Sequence, residues 1–112
     1  RLAKARMDLD AQVEKVRRLT MDVTEYENLV AETGAVYDVR VAATGDKLAV
    51  ETRPEEIAKL ENQLEILVAQ KAARMTAMAA TLTSKQSMVV EAEVRRDYLE
   101  GMVKLLSGAV SA

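Results

Sequence analysis

The chain has 112 residues, 49% of them apolar, with a formal net charge of −2 and a pI near 5.3. That length fits one domain or a fragment of one, and so small a charge gives no global electrostatic drive towards nucleic acid or an anionic membrane. Histidine and cysteine are both absent, which removes the commonest general base, the commonest zinc ligands, the thiol nucleophile and any disulfide framework.

The apolar residues are mostly Ala, Val, Leu and Met, and the only aromatics are Tyr26, Tyr37 and Tyr98. A globular core of this size recruits several large aromatics; a narrow helix–helix seam does not need them. With 30% charged residues, the composition is that of long helices or a coiled coil. No run approaches the ~18 apolar residues of a membrane span, and no apolar core of a signal peptide follows an N-terminal charge. The lack of cysteine fits an intracellular setting. The chain begins with Arg1 rather than Met, which suggests processing or truncation and is compatible with removal of an organelle presequence, so the compartment stays unassigned.

Residues 2–33 are expected to form a first helix. Leu2, Leu9, Val16, Val23 and Val30 recur every seven residues, joined by Ala5, Leu19 and Tyr26, with Gln12 as the one polar intruder. These are the a and d positions of a heptad, favouring a coiled coil over an ordinary amphipathic helix. Gly34 follows and suits a helix C-terminus.

The pattern then changes period. Tyr37, Val39 and Val41 alternate with Asp38 and Arg40, and Leu48, Val50 and Thr52 alternate with Lys47, Ala49 and Glu51. The intervening Ala42-Ala43-Thr44-Gly45-Asp46 has turn composition. Two alternating runs around a Gly-containing turn predict a β-hairpin over residues 35–52. Such a hairpin is only marginally stable alone, so a strand or surface from another chain is expected to cover it.

A second helix is expected over residues 53–107. Thr52-Arg53-Pro54-Glu55 matches a capping box with Pro in the first turn. Ile57, Leu60, Leu64, Leu67 and Lys71 keep heptad spacing, the register slips by one residue, and the stripe continues through Met75, Met78, Leu82, Val89, Ala92, Leu99, Val103 and Leu106. Lys85 and Arg96 interrupt it, and Gly108 is the expected end. A break near Thr83, where Thr83-Ser84-Lys85-Gln86 is itself a possible capping box, would instead give a three-helix bundle.

The predicted fold is therefore mainly α: two long antiparallel helices joined by a small β-hairpin. Pairing residues 2–33 with roughly 54–86 leaves Ser87–Gly108 without an intramolecular partner, though it carries Met88, Val89, Val90, Ala92, Val94, Leu99, Met102, Val103, Leu105 and Leu106. Leaving such a stripe wet would forfeit several kcal/mol at ~25 cal/mol per Å2. The chain is therefore expected either to fold back at Thr83, to lack part of its N-terminus, or to be covered there by another subunit, the last two favouring a member of an assembly.

Catalysis finds no constellation. The nearest carboxylate pairs, Asp8/Asp10, Glu55/Glu56 and Glu91/Glu93, have spacings that do not place two groups on one helix face. Thr44-Gly45-Asp46 is a turn rather than a phosphate loop. The doublets Arg17-Arg18 and Arg95-Arg96 are diluted by Glu14, Asp22, Glu93 and Asp97 and read as solvated helix faces. Met75, Met78, Met88 and Met102 fit seam packing better than an adaptable client surface.

The layout of helix, hairpin and helix, with Tyr37, Val50 and the acidic start Glu55-Glu56, resembles that of β-class prefoldin subunits. The resemblance covers most of the chain and implies a hairpin that builds an oligomeric platform and helices that hold unfolded clients. The residues themselves favour a non-enzymatic structural or interaction subunit that assembles into a larger oligomer, complex or filament, with a prefoldin-like holdase as the alternative. Expected interaction residues are Tyr37, Val39, Val41, Leu48, Val50, Met88, Val89, Leu99, Val103 and Leu106. Other protein subunits are the expected partners; no cofactor, metal, nucleic acid or membrane span is expected.

Overall fold

A computed structural model of the chain contains two helices, α1 (Leu2–Val50) and α2 (Pro54–Ser111), joined by Glu51-Thr52-Arg53. Residues 1–111 are described, with side chains described through Gly108. The fold is a helical hairpin without strands among the described residues.

The β-hairpin expected over residues 35–52 does not form; residues 35–50 are the last third of α1, and Glu51 and Thr52 begin the connection. The physical reason is a second period hidden in the same letters. Val30, Tyr37 and Thr44 are seven residues apart, as are Gly34, Val41 and Leu48, and all six are half-buried. The strand-like reading needed Val39 on the same face as Tyr37 and Val41, but Val39 is 68% exposed and Val50 80% exposed. β-Branched residues lower helix propensity by only a few tenths of a kcal/mol each, whereas packing on a partner helix supplies most helical stability in proteins. Gly34 and Gly45 both keep negative φ, so neither closes a helix or makes a turn.

The connection is correspondingly short, within the range usual for antiparallel helices. One carboxylate organises it. Glu51 accepts the backbone N–H groups of Thr52 (3.1 Å) and Arg53 (3.0 Å), and the Arg53 guanidinium through Nε (3.0 Å) and Nη2 (3.2 Å). The Arg53 hydrogen bonds, side chain first and backbone second, hold the Glu51 carboxyl down to a pKa of about 2. The Ile57 amide donates to the Arg53 carbonyl at 3.0 Å, the first helical bond of α2. Arg53 is thus the N-cap and Pro54 the first helical residue, one position later than a Thr52 capping box requires. Pro54 has no N–H to lose there, and Glu55 and Glu56 lie in the first turn, where the helix dipole favours negative charge.

α2 is continuous across Thr83, so the three-helix alternative is excluded, and it passes through Gly108 to Ser111. Thr76 and Thr81 donate their hydroxyls to the carbonyls of Ala72 and Ala77, four residues back. Local bonds of this kind let threonines sit inside a helix without orphaned polar atoms.

The hairpin divides into two compact units: one formed by Arg1–Glu25 with the chain from Leu82 onward, the other by Tyr26–Thr81. In the first, Leu2, Ala5, Leu9, Gln12, Val16, Leu19 and Val23 of α1 turn inward, as do Leu82, Lys85, Val89, Ala92, Arg96, Leu99, Val103 and Leu106 of α2. Ala92 and Leu99 are its buried residues. In the second, Tyr26, Val30, Gly34, Tyr37, Val41 and Leu48 share the seam with Ile57, Leu60, Leu64, Leu67, Lys71, Met75 and Met78. Here each helix takes two successive four-residue steps, Tyr26–Val30–Gly34 and Leu67–Lys71–Met75. Such stutters locally unwind a heptad supercoil. They meet at one level: a Cβ on Gly34 would lie 3.7 Å from the Met75 sulfur.

Candidate interaction surfaces

The seam is narrow and carries polar residues. Gln12 Nε2 donates to the Ala92 carbonyl at 3.0 Å across the first unit, and Lys85 Nζ reaches Asp22 at 2.7 Å. In the second unit Lys71 pairs with Asp38 at 2.5 Å. Arg96 stays within its own helix, at 3.1 Å from Asp97 and 3.8 Å from Glu93. These ion pairs are partly exposed, and such pairs contribute about 0–1 kcal/mol each. Their effect is geometric: a charge at one seam position accepts only one facing partner, which fixes the register of α1 against α2.

The expected interaction residues divide in two. Leu99 is buried, and Val89, Val103 and Leu106 are half-buried in the seam. The inference that Ser87–Gly108 lacks an intramolecular partner is therefore corrected. α1 is 49 residues long, not 32, and its first turns cover that stretch. Tyr37, Val41 and Leu48 are likewise half-buried in the seam of the second unit. Val39, Val50 and Met88 remain outside it, exposed.

Other apolar residues are exposed as well, and of these Val90, Val94 and Leu105 belong to the stretch read from the sequence as unpartnered. In the first unit Met7, Val13, Met21, Val90, Val94, Tyr98 and Leu105 lie open; in the second, Leu29, Val36, Ile66 and Val68 do. Tyr98 escaped the sequence reading of interaction sites, and its signal was a second row of three- and four-residue steps beside the main stripe of α2, Met88, Glu91, Arg95, Tyr98, Met102 and Leu105. Shallow open grooves flank the seam. One lies between Lys4, Asp8, Tyr98 and Met102, and another between Lys15, Leu19, Met88 and Arg95. Arg95 sits over the Tyr98 ring, 5.2 Å from its centroid, a cation–π contact worth about 0.5–1 kcal/mol where exposed.

Among the described residues no cluster of three or more His, Cys, Asp or Glu could hold a metal ion. No described helix is long and apolar enough to cross a membrane. Glu14, like Glu51, is held below its ordinary range, chiefly by its hydrogen bond to Arg17 on the same helix face. Each shift comes from an arginine close by in the chain, at a helix end for the half-buried Glu51 and on a helix face for the exposed Glu14.

Comparison with known proteins finds no family model that matches the chain, and no similar curated protein or solved structure. The class is thus defined by architecture alone, a two-helix coiled-coil hairpin. The prefoldin resemblance depended on a β-hairpin between the helices, and that element is absent.

Proposed function

We infer that the chain is a non-enzymatic structural or interaction element, a coiled-coil hairpin that assembles with other protein subunits into a larger complex or filament. One observation carries this reading: among the described residues the two-helix seam fully buries only Met78, Ala92 and Leu99, while large apolar side chains stand open along the flanks of both helices. Single exposed apolar residues are ordinary. Rows of them beside a seam too thin to hide them match a helix that packs on more than one neighbour. Met88, Val39 and Val50 are the expected interaction residues that fit such outer contacts.

Sedimentation velocity over a range of micromolar concentrations tests the reading. The expected result is a species heavier than the 12.3 kDa chain, shifted towards monomer when exposed apolar residues are replaced by polar ones. A fully helical monomer at every concentration, with no partner in the assembly from which it comes, overturns it.

A further inference from the structure

The outer flank of α2 in the first unit has a pattern that complements itself when reversed. Ser84, Met88, Glu91, Arg95, Tyr98 and Met102 follow one another at steps of four and three. They therefore line one stripe of the helix. Met88 is 49% and Tyr98 56% exposed. Glu91 and Arg95 are exposed too, and Met102 is half-buried at the groove edge. Among the described residues of this unit the ion pairs are made by Lys4, Arg17, Lys85 and Arg96. Glu91 and Arg95 enter none of them, and Arg95 instead covers the Tyr98 ring.

We propose that this flank docks antiparallel on the same flank of a second copy, about a two-fold axis level with position 93. The proposal rests on the assembly reading above and names the partner. About that axis Glu91 faces Arg95 of the other copy, and the symmetry makes the pair twice. Met88 faces Tyr98, bringing a thioether to an aromatic ring, a favourable contact. Met102 faces Ser84, so the larger side chain meets the smaller and the helix spacing stays even. Parallel docking would instead set Glu91 on Glu91 and Arg95 on Arg95, and would leave Ser84 against Ser84. Like charges face to face are destabilising across an interface. A self-complementary patch of this kind defines an isologous interface, the commonest in homo-oligomers.

Two charge reversals in the full chain test it. Glu91→Arg and Arg95→Glu should each keep their helix content by circular dichroism and each weaken dimerisation at least about tenfold, since two attractive pairs become repulsive. Mixed one to one, the two variants should recover near-wild-type association as a heterodimer, seen by mass in native mass spectrometry. A second measurement uses the absence of native cysteine. Ser84→Cys and Met102→Cys should cross-link with each other in the mixture but not each with itself, because like positions lie ~27 Å apart along the antiparallel pair at 1.5 Å per residue. Failure of the mixture to recover association, or self-cross-linking of Ser84→Cys, overturns this docking and leaves the assembly reading standing. A wild-type chain that binds a different protein but never itself also overturns it. A wild-type chain that is monomeric with no partner at all overturns both.

Discussion

Gly45→Ala separates the two conformations that residues 35–52 could adopt, because the sign of its effect differs between them. In α1, Gly45 has negative φ, and a Cβ built on it meets nothing within 4 Å. The substitution then relieves the propensity penalty of an interior glycine, about 0.8–1 kcal/mol, and narrows the unfolded ensemble. In a hairpin turn the same residue would take positive φ, where a Cβ costs about 1–2 kcal/mol. The two conformations are thus ~2 kcal/mol or more apart in predicted effect. For a chain of this length, a gain of ~1 kcal/mol raises Tm by roughly 4 °C. Thermal unfolding followed at 222 nm measures it, with urea titration giving the same ordering. Gly34→Ala is the internal comparison: its Cβ would meet the Met75 sulfur at 3.7 Å, an ordinary contact, so a similar gain is expected. A fall in Tm for Gly45→Ala, with helix content lost, would refute the argument that α1 runs through this segment.

Two further outcomes follow from the seam and the connection. Met78 is 2% exposed and Met7 71% exposed, so Met78→Ala should cost about 2 kcal/mol or more in urea unfolding, while Met7→Ala should stay within about 0.5 kcal/mol. Equal effects at the two sites would mean the seam does not hold the helices together. Glu51 has a folded pKa of about 2 against an ordinary 4.5. A depressed pKa stabilises the fold above the unfolded value and loses that stabilisation as pH falls through the folded one. The Glu51 contribution should therefore be complete above pH 4.5 and fade towards pH 2, and Glu51→Gln should flatten stability over that window. A carboxyl resonance titrating near 4.5 in NMR would show that the Arg53 contacts do not persist in solution.

Much of this architecture was readable in the letters. The heptad of residues 2–33, the one-residue slip after Lys71, the intrusion of Lys85 and Arg96 into the stripe and the place of Pro54 in the first turn of α2 all stand where the letters put them. Each is a local or periodic property, set by 3.6 residues per turn and by proline's missing N–H. The cap was only half legible. Proline marked the start, but Glu51, not Thr52, serves the orphan amides, because a carboxylate just beyond α1 reaches both backbone N–H groups and the Arg53 side chain together.

The interaction residues were less legible. Leu99, Val103 and Leu106 looked uncovered only because α1 was cut short at Gly34. Once α1 continues to Val50, their cover is internal. Met88 and Tyr98, beside that seam, stay about half exposed.

Residues 35–52 mark the boundary between the two kinds of information. By itself the sequence determined that the chain is built from long amphipathic segments with a narrow aliphatic seam and polar interruptions. It left Tyr37, Val41 and Leu48 compatible with period two and with the heptad alike. Tertiary structure decided between them. Helix α2 lies alongside, offering Met75 to Gly34 and Lys71 to Asp38, and only a helix presents Gly34, Tyr37, Val41 and Leu48 together to that neighbour. Burial of one shared face outweighs the modest strand preference of a few valines, and that face exists only when both helices are present.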